Sequence, residues 1–78
     1  MPRYFLSLRD GEFLQDNEGR DYPDAGAAMR AALRGAREIM AEDVKRGVLH
    51  LNECVEITDA KGELVAKVLF RDAIEIQS

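Results

Sequence analysis

The chain has 78 residues, 46% of them hydrophobic and 33% charged, with a formal net charge of −4. This composition excludes a disordered chain, the length allows one domain, and no apolar run approaches the roughly 20 residues of a membrane helix. The negative balance disfavours a nucleic-acid backbone as partner, and Cys54 and His50, the sole cysteine and histidine, exclude an intrachain disulfide and argue against a four-ligand zinc site.

A domain this small buries only about 60% of the surface its unfolded chain exposes, so it needs support from elsewhere. With disulfide and metal set aside, self-association is the expected support, and no cofactor is expected. The opening MPRYFLSLRDGE meets an acidic turn without a signal-peptide core, and the lone thiol suits a reducing compartment. A cytoplasmic location is the expectation, with no membrane partner.

A first hairpin is predicted over 2–16. RYFLSLR (3–9) has strand composition, and Asp10-Gly11 is the signal of a type I′ turn. A two-residue turn there sets Arg9 opposite Glu12 and Leu8 opposite Phe13. Tyr4, Leu6, Leu8 and Phe13 then share one face, while Phe5 and Leu14 point away.

The stretch QDNEGRDYPD (15–24) carries four carboxylates, Asp16, Glu18, Asp21 and Asp24. Read as a calcium loop from Asp16, it puts Arg20 fifth, Asp21 in the obligatory glycine place and Ala27 where a bidentate glutamate belongs. The motif fails. Turn chemistry accounts for the stretch instead, with Gly19 at positive φ, Pro23 holding Tyr22 extended and Asp24 as the N-cap of the next helix. A weak cation or small-molecule site at Asp16, Glu18 and Asp21 remains as an alternative.

The helix is predicted over 24–46. Ala25, Ala28, Met29, Ala32, Leu33, Ala36, Ile39, Met40 and Val44 recur at spacings of three and four, and Gly47 follows Lys45-Arg46 as a stop. The opposite face carries Arg30, Arg34 and Arg37, a candidate anion or nucleic-acid face. Its plainer reading is a solvated surface with i, i+4 pairs Arg34–Glu38 and Glu42–Arg46.

A second hairpin is predicted over 53–71, with its turn at DAKG (59–62), followed by a short edge strand over 73–77. In its second strand Leu64, Ala66, Val68 and Phe70 share one face and Val65, Lys67 and Leu69 the other. His50 and Cys54, four apart in an extended segment, stand about 13 Å from each other and make no catalytic pair. No catalytic residues and no metal ligands are assigned.

The order ββαββ, with room for a short fifth strand, predicts an α+β domain over 1–78. One long helix lies across one face of a single antiparallel sheet. Such a helix leaves the other face bare, and Phe5, Leu14, Val65 and Leu69 form the candidate dimer face.

MPRYF (1–5), LRDG (8–11), DNEG (16–19), AED (41–43), Gly47, DAKG (59–62) and Phe70 with Asp72-Ala73 resemble a family of short bacterial proteins that share a domain of unknown function. The resemblance covers nearly the whole chain. It implies a stand-alone single-domain bacterial protein and carries no established activity. Members commonly have histidine where this chain has Ser7, so no histidine site on the first strand follows. The expected function is therefore a non-enzymatic interaction module acting as a homodimer, its protein partner otherwise unknown. An antitoxin-like nucleic-acid regulator using Arg30, Arg34 and Arg37 is the alternative from another class.

Overall fold

The sheet is built around its longest strand, β1 (Arg3–Asp10). The structure is a computed structural model that describes residues 2–10 and 12–77. After β1 come β2 (Glu12–Leu14), β3 (Arg20–Asp21), α1 (Ala25–Lys45), β4 (Cys54–Asp59) and β5 (Leu64–Leu69). All pairings are antiparallel, in the order β2-β1-β4-β5, and β3 also pairs with β1. Both β2 and β3 lie along the edge of β1 away from β4, one at each end of it.

The helix runs from its N-cap Asp24, whose carboxylate accepts the Ala27 N–H at 2.8 Å, to Arg46. It ends in a Schellman motif: Val48 N–H donates to Asp43 O, Gly47 N–H donates to Val44 O, and Gly47 takes φ +83°. Alanines 28, 32 and 36 are buried on the face towards the sheet, and their small side chains let the helix axis lie close to it. Opposite them stand Val55, Ile57 and Val68, with Tyr4, Leu6, Leu8 and Ala66 packed around. Phe70 and Ile57 are the largest fully buried side chains, each worth about 1.5–3 kcal/mol in burial alone.

Four expectations change. The first hairpin pairs Asp10 with Glu12, Arg9 with Phe13 and Leu8 with Leu14, one residue from the predicted register. The type I′ turn expected at Asp10-Gly11 involves Gly11, outside the described residues. The Arg9 guanidinium lies 4.7 Å from the Phe13 ring centroid, a contact that this register permits. A slip of one residue exchanges faces, so Phe13 joins Phe5 and Leu14 joins Leu8 on the helix side.

In β5 the partners run Ile57–Ala66 and then Thr58–Leu64, leaving Val65 unpaired at a bulge. Leu64 therefore crosses to the Thr58 face instead of following Ala66 and Val68. The edge strand predicted over 73–77 does not form. The chain turns into a 3-10 helix at Phe70–Asp72, because Phe70 and Ala73 are drawn into the core and Arg37 Nε holds Ala73 O at 2.6 Å. The fifth strand is β3. On the helix, the predicted Val44 is 56% exposed and Asp43 is buried in its place.

Candidate functional site

Among the described residues, no second layer covers the face of the sheet away from α1. Cross-strand partners define its rows. Phe13, Arg9, Cys54 and Leu69 cross β2, β1, β4 and β5, then Ser7, Glu56 and Lys67, then Phe5, Thr58 and Leu64. Phe13 is 46% exposed, Leu64 54% and Leu69 37%, so large apolar groups stand in solvent at both ends of this face. Arg9 Nε contacts Glu56 Oε2 at 2.9 Å in the middle, above the buried Ser7 and Cys54. Beside it lies a shallow depression of about 300 Å³ between the Phe5 and Phe13 rings. Asp16, Glu56 and Asp59 bring carboxylates to its lining, and no basic residue does.

Of the predicted dimer-face residues, Phe5 and Leu69 do share this face, Val65 sits at the bulge beside it, and Leu14 falls on the other side. Phe13 and Leu64 belong to the bare face and were assigned elsewhere by sequence. A register slip and a bulge each invert alternation, and neither leaves a mark in local composition.

The acidic stretch resolves into a clamp. Asp16 sits between β2 and β3, where β1 lacks a strand neighbour. Its Oδ2 accepts the Leu6 N–H at 3.1 Å, and its Oδ1 accepts those of Glu18 and Gly19, both at 3.1 Å. Its own N–H donates to Ser7 Oγ at 3.1 Å. Burial pushes the Asp16 pKa up, but the hydrogen bonds from Gly19, Leu6 and Glu18, with Arg20 nearby, outweigh that and hold it below the ordinary carboxylate value. Gly19 has φ +69°, and a Cβ there would lie 2.8 Å from the Phe5 ring. Asp21 faces Arg3 at 3.3 Å, and the same arginine donates to Glu18 O at 2.8 Å. Among the described residues, no three His, Cys, Asp or Glu side chains gather as a metal-binding group.

The arginine row is dispersed by its neighbours. Arg37 is engaged with Ala73 O, as described above. Arg34 borders a polar cleft of about 470 Å³ with Asp16, Glu18, Arg20 and Glu38, where three carboxylates outnumber two guanidinium groups. Arg30 stays exposed. The ion pairs on this helix differ from those predicted, since Glu42 meets Lys45 at 3.2 Å and Arg46 meets Asp43. Sequence reasoning missed Asp43, although it continues the stripe of Ala36 and Met40. Its Oδ2 lies 3.5 Å from His50 Nδ1, with no hydrogen bond among the described residues. Cys54 is buried in the sheet between its partners Arg9 and Leu69, a packing position. Among the described residues, no helix is long and apolar enough to cross a membrane.

Residues 3–71 match the family described as a domain of unknown function, DUF6894, and the chain belongs to that family. No curated protein and no solved structure matches it.

Proposed function

We propose that this member of the DUF6894 family is a non-enzymatic, cytoplasmic interaction module that works as a homodimer through the bare face of its sheet. The observation that carries this reading is the sheet face left uncovered by a one-sided helix, where Phe13, Leu64 and Leu69 are exposed, with Phe5 beside them, around the charged Arg9, Glu56 and Lys67. Small soluble domains rarely leave such a surface unpartnered, and a chain of this size gains stability from a second layer. The edge of β5 is a poorer contact, because a bulge and the charge of Lys67 blunt it.

A nucleic-acid role draws less support, since Arg37 is bound to the main chain and Arg34 lies among carboxylates. A metal-cation site at the acidic turn draws little, since Asp21 is paired with Arg3 and no three carboxylates gather there among the described residues. Light scattering at tens of micromolar tests the reading and should give the mass of two chains. The double variant Phe13→Ser, Leu69→Ser should return the mass of one, with its far-UV circular dichroism retained. A wild-type chain that stays monomeric refutes the homodimer.

A further inference from the structure

The bare face carries a projection and a recess that fit one another. Lys67 projects from β5, and no ion-pair partner for it exists among the described residues, because Glu56, its neighbour across the strands, is taken by Arg9. Over β1, reaching from Phe13 and Asp16 on its outer side to Glu56, Thr58 and Asp59 of β4, lies the depression that Phe5 and Phe13 help to line. Ser7, Asp16 and Glu56 are among its lining residues, none of which is basic, and Arg9 neutralises Glu56 from beside it and leaves Asp16 as the open acceptor. Ser7, Glu56 and Lys67 are successive cross-strand partners, so cation and recess share one row. Strands lie about 4.8 Å apart, which puts β5 and the β2 side each about 7 Å from a line drawn between β1 and β4.

From this arrangement we infer that two copies pack face to face about a two-fold axis running parallel to the strands between β1 and β4. Each Lys67 ammonium then enters the depression of the other copy. This assignment rests on the homodimer reading above and specifies its contact. Rotation about that axis keeps every row at its own level and exchanges its ends. Lys67 of one copy thus arrives over the Asp16 side of the other, and Leu69 arrives over Phe13. Opposite charges meet on either side of the axis at the middle level of the strands, with apolar groups in the rows above and below. Phe13 already carries the Arg9 guanidinium, so the Phe5 ring is the one that adds cation–π attraction to the charge pairing. Both helices stay outside, giving four layers, with the two sheets about 10 Å apart.

Sedimentation equilibrium of the full chain, with Lys67→Glu and Lys67→Arg beside the wild type, tests the assignment. Lys67→Glu should weaken association at least about tenfold and Lys67→Arg should largely preserve it, both with unchanged far-UV circular dichroism. A zero-length carbodiimide coupling of mixed light and heavy isotope copies should join Lys67 of one copy to Asp16 of the other. A dimer that survives Lys67→Glu and yields no such link overturns the face-to-face contact and leaves the homodimer standing. A wild-type monomer at tens of micromolar overturns both.

Discussion

At Asp16 one carboxylate accepts three main-chain N–H groups, so protonating it strips those groups of their best acceptor. Its folded pKa is depressed, so its contribution is fully present above the unfolded carboxylate value and is lost as pH falls through the folded one. Denaturant unfolding stepped down from pH 5 should therefore show the wild type losing stability below about pH 4, with a shallower loss in Asp16→Asn. At neutral pH, Asp16→Ala should cost about 2 kcal/mol, the scale of a charge-assisted hydrogen bond withdrawn from partly buried donors. Gly19 is the other constrained residue of this loop. Gly19→Ala meets both the left-handed backbone and the Phe5 ring, and a loss of about 2 kcal/mol is expected by the same measurement.

The helix and its ends were the most legible elements, because a cap, an alanine stripe and a terminal glycine are local signals. Asp24, Gly47 and the buried alanines 28, 32 and 36 fall where periodicity and capping rules put them. Asp24→Ala removes the side-chain bond to Ala27 N–H and should lower stability by about 1 kcal/mol in thermal or chemical unfolding. The strands were legible in kind but less so in detail. Asp10-Gly11 announces a hairpin, yet pairing depends on contacts far along the chain: Arg9 over Phe13 and Asp16 against Leu6 and Ser7. The bulge at Val65 and the recruitment of Phe70 and Ala73 to the core are likewise tertiary choices. The bare face could be anticipated from one helix and one sheet, although half its members could not.

For the whole molecule, one helix over one sheet gives a core whose fully buried large side chains are Phe70 and Ile57. A dimer adds its association free energy to that limited core, so stability should depend on protein concentration. The melting temperature should rise as the chain is concentrated from about 1 to 100 µM, and the Phe13→Ser, Leu69→Ser variant should melt at one temperature throughout. A wild-type melting temperature independent of concentration across that range would count against the dimer.

The position of Asp16 has a further consequence. Between the three residues of β2 and the two of β3, its carboxylate stands in for the carbonyl a neighbouring strand would present, and so closes the middle of the outer edge of β1. Without it the Leu6 N–H faces outwards on a strand rich in Tyr, Phe and Leu, a template on which a foreign strand can grow. One acidic side chain thus covers the open amide of this edge, and acid, which neutralises that side chain, weakens the cover.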